Sequence, residues 1–390
     1  MPTPPMLFTP LALRDVTVKN RVVVAPMHQY AAKKGFPTDW HLMNAGRFAV
    51  GGAGLVMIES TKIERRGCGT VGDLGLWDDA MIPHFKRLAD FIKEHNSVAG
   101  IQLGHSGRKA RRFRPWEGGR PLTEEGAVAE GVDDWDDWEL VAPTALAAGR
   151  NDPEPRALSH GEIQDVVERW GHAARRADAA GFDMLEIHGA HGYLIHQFLS
   201  PLANLRNDNY GGSEANRHRF AIEVVECVRA NWPDHKPLFL RLSVEDDAGW
   251  GPAENVKLAQ IVKHKGVDVI DCSSGGMRGS PVVGTGHVGY GYQVPYAAKI
   301  KSEADMMSMA VGLIVHADQA EQILQNGEAD LIALAREFLY NPNWTLDAAH
   351  KLGLEDPYEI MPSAYEYWLS KRASAMAELT PSTHQSGIGD

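Results

Sequence analysis

The sequence is short of cysteine, of positive charge and of long apolar runs. Its three cysteines, Cys68, Cys227 and Cys272, do not stand at the spacing of a disulfide framework or a zinc site. The formal net charge of −12 argues against nucleic acid as a partner, because such binding needs a basic surface. No apolar run approaches the roughly 18 residues that cross a membrane. We therefore expect neither a nucleic-acid nor a membrane partner.

The amino terminus also lacks a feature, since residues 1–6 contain no basic stretch followed by an apolar core. No secretion signal is expected, and the sparse cysteines are typical of a reducing cytoplasm. With no internal repeat or linker, residues 1–372 are predicted to form a single domain. Residues 373–390 are small and polar for long stretches, and we predict a mobile tail there.

Eight short apolar runs rich in β-branched residues are the main pattern. Such near-continuous runs are typical of parallel strands that are buried on both faces. Segments with helical spacing lie between them, and the clearest spans residues 159–180, with a capping-box pair at Ser159 and Glu162. Strand and helix alternating eight times favour an α/β fold, the (β/α)8 TIM barrel. The predicted strands are residues 21–27, 54–60, 99–105, 184–189, 238–243, 267–273, 309–314 and 331–336.

Two segments interrupt this alternation. Residues 7–19 alternate in polarity and are predicted to form a β-hairpin that plugs the bottom of the barrel. Residues 106–160 form a long loop insertion after the third strand, at the end of the barrel where lids and substrate contacts usually lie. Within the insertion, we interpret the acidic run 133–139 as a solvated loop. Trp116 is equally consistent with a solvated position and with a substrate contact.

Three side chains at the end of the fourth strand carry the strongest indication of chemistry, because strand ends face the active site of a barrel. The imidazole N–H groups of His188 and His191 can hold one oxygen atom and stabilise negative charge on it. The phenol of Tyr193 can donate a proton. The two histidines are also spaced for a metal, although no further ligand is evident nearby. A purely structural role for both is the simpler alternative.

Other strand ends suggest a phosphate and a heterocycle. Gly312 and Arg336 follow the seventh and eighth strands, where barrels hold phosphate. Arg241 on the fifth strand could face a second negative charge, although a structural ion pair explains its position equally well. Gln102 could bond the edge of a heterocycle through its amide. Carboxylates are nearly absent from the strand ends, so a glycosidase-type pair is not expected. These features describe a flavin mononucleotide (FMN) site without identifying it uniquely.

The most specific motif is residues 186–201, which read EIHGAHGYLIHQFLSP. With this motif the chain resembles the Old Yellow Enzyme family, and within it the bacterial branch that includes the xenobiotic reductases. The resemblance covers nearly the whole chain. Its further segments are residues 7–10, 19–21, 25–27, 101–109, 114–118, 180–183, 210–213 and 329–332.

The resemblance implies a noncovalent FMN that NADPH or NADH reduces, and hydride transfer from flavin N5 to an activated alkene such as an enone, maleimide or nitroalkene. His188 and His191 would bind the electron-withdrawing group of this small-molecule substrate. Tyr193 would supply the proton, and Tyr30 would contact the substrate. The positions implied to hold the flavin are Ala25, Pro26, Met27, Ser60, Gln102, Arg241, Gly312, Ala335 and Arg336.

Three features depart from the family pattern. His28 stands beside the flavin where the branch usually has cysteine, so we expect the redox potential to depend on pH. Ala335 replaces a common glycine and adds a methyl group near the phosphate. Residues 362–368 resemble a segment that reaches into a neighbouring subunit's site, without the arginine found in some relatives. We therefore expect a homodimer or homotetramer in which Trp368 or Tyr365 lines the partner's pocket.

Two other functions stay open from the sequence. The same barrel could act as an FMN-dependent dehydrogenase or desaturase. The iron–sulfur version of that chemistry needs a cysteine cluster and a further large domain, which this sequence does not show. A metal-dependent barrel hydrolase that uses His188 and His191 is the more distant alternative.

Overall fold

The computed structural model describes residues 4–278 and 288–379. Eight parallel strands form a closed barrel in which each strand pairs with the next along the chain and the last pairs with the first. The predicted (β/α)8 barrel is therefore confirmed. The strands, numbered β1 to β8, are Val22–Val24, Leu55–Lys62, Val98–Gly104, Met184–Gly189, Leu238–Glu245, Val269–Ser274, Met307–Ala310 and Leu331–Leu334.

Three strands end earlier than the apolar runs predicted. β1 stops two residues before Pro26. After β7, Gly312 and Leu313 have positive φ values of 114° and 49°, which a strand does not accommodate. After β8, Arg336 begins a short helix. The predicted phosphate-binding residues therefore lie beyond the strands, Gly312 in a loop and Arg336 at the start of a short helix.

Helices surround the barrel and bury their apolar faces against it. The predicted capping box of the third helix is present, because Ser159 and Glu162 bond each other's backbone N–H groups. The helices α1 to α8 are Asp39–Val50, Ile82–Glu94, His160–Ala179, Glu214–Asn231, Pro252–Lys263, Val294–Ala304, Ala317–Gln325 and Trp344–Lys351. Shorter helices are Glu124–Ala129, Leu194–Leu199 and Arg336–Tyr340, and the C-terminal helix α9 is Ser363–Ala377.

A hairpin closes the bottom of the barrel, as predicted. Strands Leu11–Leu13 and Val16–Val18 pair antiparallel. Leu13 and Val18 are buried in one apolar cluster with residues at the amino ends of the barrel strands, among them Leu55. Because this plug fills the bottom with apolar side chains, the polar chemistry of the barrel is left to the opposite end.

The insertion after β3 is anchored to the barrel. Its acidic run is solvated in part, as predicted, since Asp133, Asp136 and Asp137 are exposed, but the run also has a buried side. Trp138 is fully buried and its indole N–H donates to the carbonyl of Cys68 at 2.9 Å. Asp134 pairs with Arg65 at 2.6 Å. The two tryptophans and the acidic residues around them therefore give this run a buried and a charged side. The insertion also contains the paired strands Val141–Ala142 and Arg156–Ala157.

Near the carboxyl terminus, the last helix ends later than the predicted end of the domain. Helix α9 continues to Ala377, past the predicted domain end at residue 372. Residues 380–390 lie outside the described residues, so the mobile tail stays a prediction for them. In the described parts of the chain, no helix is long and apolar enough to cross a membrane.

Candidate active site

The carboxyl ends of the barrel strands open into two adjoining cavities. The larger has a volume of about 570 Å³ and the smaller about 260 Å³. His191 and Arg241 line both. Of the sequence-predicted residues, the larger cavity is lined by Pro26, His28, Tyr30, Gln102, His188, His191, Tyr193 and Arg241. The smaller is lined by His191, Arg241, Gly312, Ala335 and Arg336.

Besides Tyr365 and Trp368 of helix α9, four predicted residues lie outside these walls. Ala25 and Met27 border a narrow space of about 20 Å³ between β1, β2 and α1. Ser60 is buried on β2. Trp116 is largely exposed and meets the ring of Tyr30 edge-on, with centroids 5.5 Å apart. It therefore stands at the rim of the larger cavity.

The predicted trio His188, His191 and Tyr193 is brought together. The ring of His188 has its centroid 5.1 Å from that of His191 and 5.0 Å from that of Tyr193. His191 has a positive φ of 59°, and its backbone N–H donates to Ser243 Oγ at 2.9 Å. Its Nε2 lies 2.6 Å from Ser273 Oγ. The turn after β4 is therefore held by neighbouring strands, which aim both imidazoles into one space.

The electrostatic surroundings keep this trio neutral. Burial lowers the pKa of His188 and of His191 well below the usual value, and the positive charge of Arg241 acts in the same direction. Burial also raises the pKa of Tyr193 above its usual value. Each imidazole therefore presents one N–H without a positive charge, and Tyr193 stays a phenol that can give up a proton.

Lys62 is a member of the site that our sequence reasoning missed. It is fully buried at the end of β2, and its ammonium group lies 5.1 Å from the ring centroid of Tyr193. The same group donates to Ser60 Oγ at 3.1 Å and lies 3.5 Å from Asp73. This buried ion pair sits directly beside the candidate proton donor.

Two buried carboxylic acids were also missed. Arg241 Nε lies 3.0 Å from Asp271 on β6, and Gln102 Nε2 donates to Glu186 on β4 at 2.7 Å. Burial, followed by the neighbouring charge of Asp271, raises the pKa of Glu186, and burial raises that of Asp271. Glu186 could have been noticed in the sequence, because it is a charged residue inside an apolar run, two positions before His188. Arg241 is therefore engaged in an ion pair and also faces both cavities.

The first turn of the insertion adds a lysine to the cavity. Lys109 lines the larger cavity, and its ammonium group donates to the backbone carbonyls of His191, at 3.0 Å, and of Gly276. Burial lowers its pKa to about 8. Lys109 belongs to one of the family-like segments, but its chemical role could not be assigned without the contact to His191.

The smaller cavity offers the geometry of a phosphate and heterocycle site. A Cβ atom at Gly312 would lie 2.8 Å from Gln293 Nε2, so the backbone there approaches its neighbours more closely than a side chain permits. Arg336 and the loop backbone line the same space. In the larger cavity, Nδ1 of His188 is buried without a hydrogen-bond partner among the described residues. This donor set fits FMN, with its anionic phosphate and polar ring edge.

The two histidines do not form part of a visible metal site. Within residues 4–278 and 288–379, no three His, Cys, Asp or Glu side chains gather in an arrangement that could hold a metal ion.

The predicted substrate contact Trp368 lies away from the cavities, on α9, where its side chain is 70% exposed and contacts the ring of Tyr367. It does not line the cavity of its own chain.

Comparison with known proteins gives a consistent answer. Residues 6–355 match the NADH:flavin oxidoreductase / NADH oxidase family. The chain is 41% identical to an NADPH dehydrogenase of Geobacillus sp. (strain WCH70), over 89% of this chain and 95% of that protein. It is equally 41% identical to an NADPH dehydrogenase of Bacillus subtilis (strain 168), over 91% and 97%. The solved structure of morphinone reductase is 26% identical, with a TM-score of 0.72 over 93% of this chain and 96% of that one.

These matches span nearly the whole chain and agree with the donor set of the two cavities. The resemblance to the Old Yellow Enzyme family is thereby confirmed. The chain belongs to the NADH:flavin oxidoreductase / NADH oxidase family and is an FMN-dependent NAD(P)H oxidoreductase.

Proposed function

We propose that the protein reduces activated C=C bonds of small molecules such as enones, maleimides and nitroalkenes. The observation that carries this proposal is the convergence of two neutral imidazoles and a neutral phenol on one cavity wall. Bound FMN would supply the hydride chemistry, from NADPH or NADH to an electron-poor carbon of the substrate. The side chains must then bind the substrate, stabilise its developing charge and supply one proton.

The residues divide these tasks. His188 and His191 donate hydrogen bonds to the carbonyl or nitro oxygen and stabilise the negative charge that builds up there. Tyr193 gives its proton to the neighbouring carbon, so the substrate gains one hydride and one proton. Tyr30 and Trp116 form the outer wall against which the substrate packs.

The cofactor is proposed to lie across both cavities. Gly312, Ala335 and Arg336 would hold its phosphate, and Gln102 and Arg241 would bond the polar edge of the ring. The remaining proposed contacts to the ring are Ala25, Pro26, Met27, His28 and Ser60.

The other two functions have less support. Removal of a proton from a saturated substrate, as in a dehydrogenase, requires a base, whereas the raised pKa of Tyr193 keeps it protonated. A hydrolase that uses His188 and His191 would need a third metal ligand beside them.

The three cysteines are free thiols, which suits the reducing cytoplasm as the compartment.

An anaerobic mixing experiment tests the proposed function. NADPH or NADH should bleach the visible absorbance of the bound flavin, and the absorbance should return on addition of an enone, maleimide or nitroalkene. The substrate should be recovered as the saturated product. A flavin that is bleached but is not reoxidised by any activated alkene would contradict the proposal, and comparing the two nicotinamides identifies the preferred reductant.

The substitution Gly312→Ala is expected to weaken FMN binding about 5- to 150-fold. The positive φ of 114° and the close contact with Gln293 together correspond to about 1–3 kcal/mol of strain. Titration of the apoprotein with FMN, followed by flavin fluorescence, measures the change. Gly161→Ala is the matched control, because it faces open space in α3. Equal FMN affinity in both variants would remove Gly312 from the phosphate site.

The exposed aromatic residues of α9 are proposed to contact a second copy of the chain. Tyr365, Tyr367 and Trp368 are 54%, 56% and 70% exposed, and so much exposed aromatic surface is typical of an interface. We expect Trp368→Ala to raise the KM for the alkene about tenfold and to weaken the oligomer, as measured by light scattering. Leu205→Ala, an exposed position in a loop, is the control. A fully active monomer would contradict the proposal.

A further inference from the structure

A buried carboxylate connects the cavity wall to helix α1. Glu59 on β2 is 3% exposed, with Oε1 3.1 Å from His41 Nε2 and Oε2 3.4 Å from His28 Nδ1. The backbone N–H of Gln29 also donates to Oε2, at 2.6 Å. Burial alone would raise the pKa of Glu59, but the close contacts with the rings of His28 and His41 outweigh it and lower the pKa. Glu59 is therefore an ionised group between two histidines.

His41 is held in one neutral form by the start of its helix. The backbone N–H of Thr38 donates to His41 Nδ1 at 3.0 Å, as part of the capping box of α1. A ring nitrogen that accepts a hydrogen bond carries a lone pair, so the proton of this ring must be on Nε2, which faces Glu59. Protonation of Nδ1 would break the cap. His41 is therefore a fixed neutral donor.

His28 has no such restraint and borders the larger cavity. Its ring stacks on Tyr30 with centroids 5.3 Å apart and an angle of 21° between the planes. With Nδ1 directed to Glu59, the second ring nitrogen, Nε2, is the one available to the cavity. A change of protonation in this cluster therefore falls on His28 and not on His41.

Several other charged groups face the same cavity as His28. Arg241 is paired with Asp271 and Arg112 with Asp152, whereas Lys109 donates to backbone carbonyls and Arg278 lies at the edge of the cavity. Asp73 is paired with Lys62 at 3.5 Å. His188 and His191 on the opposite wall are neutral because burial lowers their pKa values. Tyr30 is an uncharged phenol because burial raises its pKa. Among these groups, the carboxylate of Glu59 is the charge that favours a proton on His28.

We propose that His28 is a second proton-exchanging residue of the active site, and that Glu59 and His41 are the positioning residues that orient its ring. The proposal rests on the proposed position of FMN in the larger cavity. Reduction of bound FMN by NAD(P)H would bring one hydride, and with it one negative charge, into this cavity and would release NAD(P)+. Nε2 of neutral His28 binds one proton from solution, and the new positive charge is shared with Glu59. The net charge of the site is then unchanged by reduction, and the proton is released when the hydride leaves.

The pH dependence of the flavin midpoint potential in the holoenzyme tests the proton uptake. Over about pH 6–8, where histidine titrates, we expect a slope about twice that of His28→Gln, because two protons instead of one accompany two electrons. In Glu59→Gln the steep region should move to lower pH, because the carboxylate that favours the imidazolium is gone. His264→Gln, an exposed position after α5, should behave as the wild type. Equal slopes in wild type and His28→Gln would overturn the proposal.

Nitrogen NMR of the histidine rings provides a measurement that does not involve activity. His28 should titrate in the wild type, with its signals identified by their loss in His28→Gln, whereas His41 should keep a lone pair on Nδ1 throughout. Titration of His41 instead, or an identical His28 titration in Glu59→Gln, would contradict the assignment. If Glu59→Gln does not fold, the wild-type and His28→Gln spectra still decide. Neither measurement uses an alkene, so absence of alkene reduction would contradict the proposed function alone.

Discussion

Replacement of Tyr193 by phenylalanine is expected to slow reoxidation of the flavin by an activated alkene about 100- to 10,000-fold, the usual range for loss of a general acid. The substitution removes the phenol oxygen but keeps the ring that packs against His188 and Lys62. The loss should therefore fall on proton delivery and much less on reduction of the flavin by NADPH. Stopped-flow measurement of the two half-reactions separates these effects.

Tyr210→Phe is the matched control for this experiment. Tyr210 is also buried, but its phenol donates to Glu223 at 2.8 Å, away from both cavities. We expect nearly wild-type rates in both half-reactions for this variant. A loss of less than about threefold in Tyr193→Phe would mean that another group, or water, supplies the proton.

Replacement of Arg241 by methionine is expected to destabilise the protein by about 3–5 kcal/mol, because it leaves Asp271 buried without its cation. Methionine occupies much of the volume of the arginine stem, so the effect measures charge more than packing. The destabilisation should grow as the pH rises, because loss of Arg241 raises the pKa of Asp271 further, and ionisation of Asp271 at higher pH then leaves a buried charge without a partner. Urea unfolding of the apoprotein at several pH values measures it.

An exposed ion pair provides the comparison. Arg87 pairs with Asp39 at 2.8 Å, but both side chains are more than half exposed. Arg87→Met should therefore cost less than about 1 kcal/mol. Adding Asp271→Asn to Arg241→Met should recover part of the lost stability, because it removes the unpaired charge. If Arg241→Met were no more harmful than Arg87→Met, the buried network would not depend on the arginine.

The residues that these two experiments change differ in how far their surroundings could be predicted from the sequence. His188, His191 and Tyr193 lie within one short motif after a predictable strand, so their convergence follows from local spacing. The eight strands were equally predictable, because each is a short apolar run of the kind that is buried on both faces. The acidic run of the insertion was predicted only in part, because its charges correctly indicated solvent but did not show that Trp138 is buried beneath them.

Local pattern was thus sufficient for the closed barrel, its plug and the wall that carries Tyr193. The polar network behind that wall required the folded chain. Gln102 and Glu186 are 84 residues apart in sequence and 2.7 Å apart in space, and Lys62 reaches Tyr193 from a different strand. Periodicity describes one helix or strand at a time, whereas closure of the barrel decides which strand ends face each other. The partners of buried charges, including Glu59 between its two histidines, are therefore properties of the tertiary structure alone.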